Sequence, residues 1–390
     1  MDAHLAQWLN LALRWAHVIT GIAWIGTSFY FNWLNSRIAP PERPEPGIGG
    51  ELWSVHGGGF YRVVKYTVAP ERLPARLHWF KWEAYATWIT GCALLVLIYY
   101  LQADAYLVRA DGLAPGPAVA VGIGTLVLGW LVYDGLCRSP LRRRSGVLVA
   151  IGLVLFAALA WGLTQLLSAR AAYMHVGAAI GTIMAANVFR VIIPAQREMV
   201  DAMAAGRPPD AARGAQAALR SLHNNYLTLP VLFVMVSGHF PATYGHALNW
   251  AILAALAVVG AGARHWFNLR NEGRRNAWIL PAGAIGLVAL ALVTAPEAPV
   301  GRATASFAEV RVVVARRCLP CHSSAPTAPG LATAAAGLTL DTPNEIRRQA
   351  DRIHAVAVAS ETMPLGNVTA MTPEERALLG RWIRAGAALR

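Results

Sequence analysis

Apolar stretches long enough to cross a bilayer constrain this chain more than any other feature. A membrane-spanning helix takes about 20 apolar residues, and a helix satisfies its own backbone hydrogen bonds inside lipid. Such stretches occupy residues 8–34, 79–102, 116–137, 145–168, 171–193, 222–240, 244–268 and 276–295. The sequence therefore predicts an all-α fold with an eight-helix transmembrane bundle over residues 1–295.

The composition supports a membrane protein and argues against a nucleic-acid partner. Hydrophobic residues make up 56% of the chain and charged residues only 14%. The formal net charge is +13, but the arginines lie between the apolar stretches rather than on one patch or helix face. The first residues lack the basic segment and cleavage site of a signal peptide, so the first stretch is expected to remain as a span.

The basic residues of the connecting segments predict the orientation of the bundle. Those that follow the first, third, fifth and seventh stretches are strongly basic, and the alternate ones are not. Cytoplasmic segments carry the excess of Lys and Arg, so both termini are expected in the periplasm of a bacterial inner membrane. The basic residues concerned are Arg37, Arg43, Arg62, Lys65, Arg72, Arg76, Arg138, Arg142, Arg143, Arg144, Arg197, Arg207, Arg213, Arg220, Arg270, Arg274 and Arg275.

The longest of these segments, residues 35–78, is predicted to be cytoplasmic. Apolar and polar residues alternate from Phe60 onwards, which is typical of a short strand pair. Loops of this length are uncommon unless they have a function. At the other end of the bundle, residues 296–304 are rich in Pro and Ala and are expected to form a stiff linker.

A Cys-x-x-Cys-His motif defines the segment beyond the linker. Cys318 and Cys321 have the spacing at which two thiols attach a haem, and His322 offers an imidazole to its iron. A redox Cys-x-x-Cys or half of a zinc site is the alternative, but zinc would need further ligands and no cysteine follows His322. Residues 305–390 are therefore predicted to form a small, helical, periplasmic cytochrome c domain with covalent haem c.

The second axial ligand of such a haem is expected from a later part of the domain. Met363 lies in a segment with Pro and Gly neighbours and is the predicted distal ligand, so His322 and Met363 form the predicted metal site. Met371 and His354 are the alternatives. Bacteria attach haem to this motif in the periplasm, which agrees with the orientation that the arginines predict.

Four histidines lie at two depths of the predicted bundle. His17 and His175 fall towards the periplasmic side, and His223 and His265 towards the cytoplasmic side. Ionisable side chains inside a membrane commonly mark a functional site, and facing imidazoles are ligands for haem. The four residues predict one or two haem b groups. The alternative is that they are hydrogen-bonded packing residues near the helix ends.

Polar side chains also gather at the cytoplasmic end of the predicted bundle. Arg190 and Asn187 lie three residues apart on one helix face, and Asn224, Asn225 and Glu83 lie at the same depth. Guanidinium and amide groups suit a planar anion with several hydrogen-bonding edges. These five residues are the predicted catalytic site, with Glu83 or His223 accepting a proton. Alternatively, Arg190 merely extends towards the cytoplasmic surface.

Several stretches of the chain resemble the bacterial membrane-bound urate oxidase (urate hydroxylase) family. The first reads His-Val-Ile-Thr-Gly-Ile-Ala-Trp-Ile-Gly-Thr from residue 17, and a Met-Pro-x-Gly-Asn sequence begins at residue 363. The resemblance also covers residues 53–61, 77–85, 174–189 and 223–230. It implies eight spans fused to a cytochrome c domain. It also implies oxidation of urate to 5-hydroxyisourate in purine degradation, with electrons passed to haem c rather than directly to oxygen.

The expected partners follow from this interpretation. They are urate or a similar small planar anion, membrane lipid, and a periplasmic soluble cytochrome or terminal oxidase that accepts the electrons. Two other classes of function are alternatives to urate oxidation. A membrane cytochrome could carry electrons from a quinol or a partner subunit to a periplasmic acceptor without urate chemistry. A haem–copper oxygen-reducing subunit would need an adjacent His-His pair, which the sequence lacks.

Overall fold

The computed structural model describes residues 3–67, 70, 72–109, 112–295, 305–329 and 331–389. Most of these residues are helical, as predicted. The predicted linker, residues 296–304, lies outside the described residues. The helices before it are α1 (Ala3–Arg37), α2 (Trp82–Leu95), α3 (Ala103–Tyr106), α4 (Pro115–Arg138), α5 (Ser145–Leu166), α6 (Ala169–Asn187), α7 (Ile193–Ala204), α8 (Ala211–Ser237), α9 (Pro241–Tyr244), α10 (Asn249–Asn271) and α11 (Ile279–Val293).

Among the described residues, five helices are long and apolar enough to cross a membrane. They are Trp82–Tyr100, Pro115–Arg138, Ser145–Leu166, Ala169–Ala204 and Asn249–Asn271. Turns of π-helix extend α2 to Tyr100 and join α6 to α7. The chain is therefore a multi-pass membrane protein. The other three predicted spans correspond to α1, α8 and the shorter α11, and for these the crossing of the membrane stays a prediction.

The long segment between α1 and α2 contains the predicted strand pair. Strands β1 (Ile48–His56) and β2 (Gly59–Tyr66) form an antiparallel hairpin in which Val55 pairs with Phe60. Gly57 and Gly58 form the turn with φ values of +57° and +79°, which glycine adopts without strain. Arg62 of β2 donates hydrogen bonds to Glu51 of β1 and to Glu45, which precedes the hairpin.

Helix α8 packs against α6 and α10 and also contacts α1. The helix α1 packs against α2 and also contacts α8 and α10, whereas α6 contacts α2, α4, α5 and α8. Close approach of α6 to α8 requires glycine at one position. A methyl group added at Gly177 would lie 2.4 Å from Val234 Cγ1, whereas one added at Gly181 would meet nothing within 4 Å.

The C-terminal residues form a second, smaller helical unit with its own core. Its helices are α12 (Phe307–Arg317), α13 (Pro343–Arg348), α14 (Ala350–Ile353) and α15 (Pro373–Arg384). Helices α12, α13 and α15 each begin with a capping box, which satisfies free backbone N–H groups at the helix start. Trp382 and Leu379 of α15 are fully buried in the core.

The small unit contacts the bundle at the end opposite the β1–β2 hairpin. The segment Leu365–Asn367 packs against α3, and the π-helical segment His354–Ala359 packs against α9. A methyl group added at Gly366 would lie 2.9 Å from Ala105 Cα, and Gly366 also has a φ of +57°. The segment that follows Met363 therefore lies directly on α3 of the bundle.

Candidate functional site

The Cys-x-x-Cys-His motif lies in a tight turn at the end of α12. The backbone N–H of His322 donates to the carbonyl of Cys318 at 2.8 Å, and the N–H of Cys321 donates to the same carbonyl at 3.1 Å. The backbone carbonyl of His322 accepts from the N–H of Leu340 at 2.8 Å. These bonds place both thiols and the imidazole on one turn, as the spacing predicts.

The side chains of the motif have the character that a bound prosthetic group needs. Cys318 and Cys321 are free thiols, and burial raises the pKa of the Cys318 thiol to about 11. His322 Nδ1 lies 3.3 Å from the carbonyl oxygen of Leu338. A ligating histidine usually gives its second ring N–H to such a carbonyl, which leaves the other nitrogen free for iron. Burial lowers the pKa of His322, which favours the neutral imidazole.

Met363 lies against the same hydrophobic core as Cys318. Its backbone N–H donates to the carbonyl of Val356 at 2.8 Å, and its carbonyl accepts from the buried guanidinium of Arg376 at 2.8 Å. Met371, the alternative ligand, is only 3% exposed and belongs to the core itself. The fixed segment and the partial exposure of its thioether make Met363 the better placed of the two methionines.

These residues fit a c-type haem by the chemistry of their donors. Cys318 and Met363 pack against one apolar core, and Cys318, Cys321 and His322 lie on one turn, so thiol, imidazole and thioether donors occur within one small unit. No cluster of three or more His, Cys, Asp or Glu side chains suited to a metal ion occurs among the described residues. Binding of haem c by these donors stays a prediction.

The histidines predicted to lie near the periplasm contact different parts of the bundle. His17 Nδ1 lies 3.0 Å from both the carbonyl oxygen of Thr87 and Oγ1 of Thr90. His175 Nδ1 lies 2.8 Å from the Ala171 carbonyl oxygen of its own helix, and its Nε2 lies 3.3 Å from the hydroxyl of Tyr100.

Thr90 and Tyr100 are ten residues apart on one helical segment, which at 1.5 Å per residue is about 15 Å. The structure therefore does not place His17 and His175 opposite each other.

The histidines predicted to lie towards the cytoplasm also have separate partners. His223 Nδ1 lies 2.8 Å from the hydroxyl of Tyr133 on α4, whereas His265 Nδ1 lies 2.7 Å from the hydroxyl of Tyr226 and its side chain is exposed. The structure therefore does not arrange the four imidazoles as two facing pairs. Binding of haem b stays a prediction, and it would require imidazoles that now lie apart to face each other.

Two of the predicted catalytic residues belong to a buried network between α4, α6 and α8. Asn187 Nδ2 donates to Asn224 Oδ1 at 2.8 Å and to the hydroxyl of Tyr133 at 3.0 Å. Arg220 donates to Asn187 Oδ1 at 3.3 Å and forms an ion pair with Asp134 at 2.6 Å. We name these five residues the α4–α8 network. Its hydrogen bonds are internal, so it stabilises the helix contacts.

A second buried group lies on the other side of α8, between α1 and α10. Asn225 Oδ1 accepts from Arg264 Nε at 3.0 Å and from Asn268 Nδ2 at 2.9 Å. Asn32 Nδ2 donates to Asn268 Oδ1 at 2.9 Å. The guanidinium of Arg264 lies over the ring of Phe29, 4.0 Å from its centroid. We name these five residues the α1–α10 cluster.

Arg190 belongs to neither group. Its side chain is exposed, lies over the ring of Phe189 and lines a cleft of about 370 Å³. The cleft is strongly basic, since Arg138, Arg213 and Arg220 also line it. The structure thus separates the predicted catalytic residues: Asn187 and Asn224 remain together, whereas Asn225 and Arg190 lie apart from them.

Glu83 stands in the first turn of α2. Its Oε2 atom is buried without a hydrogen-bond partner. The next residue, Ala84, is buried with Val188 and Ile193 in a cluster against which Trp24 of α1 packs. Glu83 therefore lies between α1 and the join of α6 to α7.

Sequence reasoning missed Arg220 and Arg264 as interior residues. Arg220 was counted among the basic residues of a connecting segment and Arg264 was given no role, yet they are only 3% and 5% exposed. A signal was available for Arg220, because it lies on the same helix as Asn224 and Asn225, which were already singled out. Arg220 precedes Asn224 by four residues, which places the two on one face of α8.

The fold and the site together define a multi-pass membrane protein with two buried polar groups at one end and a small Cys-x-x-Cys-His unit at the other. The family model described as urate oxidase N-terminal matches residues 3–295. The chain therefore belongs to the urate oxidase N-terminal family, as its sequence resemblance indicated. No curated protein and no solved structure matches the chain.

Proposed function

We propose that this protein oxidises urate to 5-hydroxyisourate in the membrane and passes the electrons to a haem c on its C-terminal unit. The observation that carries the proposal is the family match, which covers the whole membrane part from residue 3 to residue 295. The family supports a urate-related oxidative function. The product, the electron acceptor and the location are our inferences from the residues.

The reaction inserts an oxygen atom from water and needs an acceptor for two electrons. Urate at neutral pH is a planar monoanion, so its binding requires positive charge and fixed hydrogen-bond donors. The cytoplasmic end of the bundle offers both, in the basic cleft at Arg190 and in the α1–α10 cluster. Glu83, whose Oε2 is buried without a partner, is the predicted acceptor of the proton released during oxidation.

Cys318, Cys321, His322 and Met363 would hold the haem, the two cysteines through covalent bonds and the other two through their imidazole and thioether groups. A bound haem would supply a one-electron acceptor whose potential depends on these ligands. This chain contributes the rest: Leu338 fixes the imidazole through its carbonyl, and Arg376 holds the backbone of Met363. The contact between Leu365–Asn367 and α3 keeps the unit close to the bundle.

We place the protein in the bacterial inner membrane with both termini in the periplasm. The distribution of arginines supports this orientation, as does the chemistry of haem attachment. In this arrangement a periplasmic soluble cytochrome or a terminal oxidase takes the electrons onward. Urate comes from the cytoplasm, where purines are degraded, and the basic cleft faces that side.

The test is urate turnover by inverted membrane vesicles without oxygen. Oxidised soluble cytochrome c, enclosed in the vesicles, serves as the acceptor, and 5-hydroxyisourate is followed by its absorbance. We expect urate to disappear as the enclosed acceptor is reduced, and the Cys318→Ala, Cys321→Ala double variant to be inactive. Turnover only with oxygen, accompanied by hydrogen peroxide, would refute the acceptor. No turnover at all would favour the electron carrier without urate chemistry.

A further inference from the structure

The α1–α10 cluster contains a buried positive charge that forms no ion pair with a carboxylate of the described residues. Arg264 is 5% exposed and Asn225 is 4% exposed. Arg264 Nη2 and Asn225 Nδ2 are both buried without a hydrogen-bond partner. The two side chains are themselves joined by the bond from Arg264 Nε to Asn225 Oδ1. Two unpaired donors therefore lie side by side in the interior.

The orientation of the Asn225 amide follows from its neighbours. Its oxygen accepts from two donors, Arg264 Nε and Asn268 Nδ2, and the Asn268 oxygen is itself engaged by Asn32. Turning the amide over would set an NH₂ group against both donors. The chain of bonds from α1 through α10 to α8 thus holds Asn225 Nδ2 in place as a free donor.

Such an arrangement is costly unless something else completes it. An unpaired charge or donor inside a membrane protein loses its hydration without compensation. The other buried arginines show the usual solution. Arg220 pairs with Asp134 at 2.6 Å, and Arg376 donates to the carbonyls of Ala357 and Met363. Among the described residues, no such ion pair is found for Arg264.

We propose that the α1–α10 cluster is the seat of the anionic substrate, an oxo-purine anion. Arg264 Nη2 and Asn225 Nδ2 donate to one edge of the planar anion, where its carbonyl oxygen or deprotonated nitrogen lies. The guanidinium supplies the countercharge, and the ring of Phe29, 4.0 Å from it, holds the guanidinium flat. This inference rests on the proposed function, because it places urate at this cluster.

The cluster suits an anion better than the cleft at Arg190 does. Arg190 is exposed, so water and salt screen its charge. Arg264 is buried, and a charged hydrogen bond is stronger where water is excluded. The cleft then contributes attraction of anions to the cytoplasmic face, and the cluster contributes binding.

The experiment measures urate binding rather than turnover. The full-length oxidised protein, in detergent and without oxygen, is dialysed to equilibrium against radiolabelled urate. Three variants are compared with wild type: Arg264→Gln, Arg190→Gln and Asn225→Asp. Xanthine serves as a second probe at a pH where it is neutral and urate is the monoanion. Thermal unfolding of each variant is recorded in parallel.

We expect Arg264→Gln to weaken urate binding by at least about tenfold, because a charged donor is lost. The preference for urate over xanthine should fall in the same variant. Arg190→Gln should weaken urate binding by less than Arg264→Gln does, because water and salt screen the exposed guanidinium of Arg190. Asn225→Asp is the sharpest variant. It supplies the missing carboxylate to Arg264, so it should raise the unfolding temperature while abolishing urate binding.

Urate binding by Arg264→Gln at wild-type affinity would overturn the inference, as would undiminished binding by Asn225→Asp. Loss of binding in Arg190→Gln alone would overturn it in favour of the cleft. In each of these cases urate turnover by the wild-type protein would leave the proposed function standing. Conversely, wild-type protein that binds urate through Arg264 but never oxidises it would refute the proposed function alone.

Discussion

Arg220 and Asp134 form one ion pair, but removing Arg220 and removing Asp134 should destabilise the protein by different amounts. The side chain of Arg220 is 4% exposed, and its guanidinium forms an ion pair with the carboxylate of Asp134. Asp134 has a second partner, because Arg138 lies 2.6 Å from its other oxygen with a side chain 69% exposed. The two single substitutions should therefore lower the free energy of unfolding by different amounts.

Asp134→Leu leaves the guanidinium of Arg220 buried without a carboxylate. Breaking a buried pair in this way costs about 3–5 kcal/mol. The bond to Asn187 Oδ1 and the ring of Tyr133, 4.9 Å away, remain and favour the lower end of that range. Arg220→Met leaves Asp134 paired with Arg138, so its cost should be smaller, about 1–2 kcal/mol. The double variant should lie within about 1 kcal/mol of wild type, because apolar residues often replace a buried pair well.

The assay is reversible unfolding of the purified protein in mixed detergent micelles, with helicity followed against the fraction of denaturing detergent. The free energy of unfolding of wild type, both single variants and the double variant forms a closed cycle. Equal costs for the two single variants would refute the reasoning, as would a larger cost for Arg220→Met. A double variant less stable than Asp134→Leu would show that the pair is not the reason for the loss.

Three further predictions concern packing, the Met363 segment and acid. Gly177→Ala should destabilise the protein by about 1–3 kcal/mol in the same assay, since its methyl group has no room, whereas Gly181→Ala on the same helix should cost less than about 0.5 kcal/mol. Arg376→Leu removes the hydrogen bonds to the carbonyls of Met363 and Ala357, so the thioether-to-iron charge-transfer band should weaken in the oxidised protein while covalent haem content is unchanged. An unaltered band would contradict this. Hydrogen bonds from threonines lower the pKa of Glu345 below its ordinary value of 4.5, so its contribution to stability is complete above that pH and is lost as pH falls through the lower folded value. In Glu345→Gln, the free energy of unfolding should therefore fall less steeply as the pH is lowered. An unchanged dependence on pH would contradict the capping role of Glu345.

The sequence predicted those features that depend on local pattern. Length and hydropathy gave the spans of α2, α4, α5, α6 and α10, because a bilayer requires such lengths. The alternating residues from Phe60 onwards predicted a short strand pair, and the hairpin of β1 and β2 confirms it. The turn around the Cys-x-x-Cys-His motif follows from its spacing.

The arrangement of the polar residues could not be predicted in the same way. Asn224 and Asn225 are adjacent in sequence, yet successive helix positions point about 100° apart. One therefore joins the α4–α8 network and the other the α1–α10 cluster. Which neighbour each meets depends on how the helices pack around α8, and sequence spacing does not contain that information. The separation of His17 from His175 along the bundle also depends on helix packing, so the sequence did not predict it.

The account depends most on whether electrons from urate reach the C-terminal unit of the same chain. The direct measurement is the absorbance of the haem in the purified, oxidised protein after urate is added without oxygen. We predict that the bands of reduced c-type haem appear, and that Arg264→Gln slows their appearance at low urate concentration. A haem that dithionite reduces but urate leaves oxidised, in protein that still consumes urate, would contradict the account.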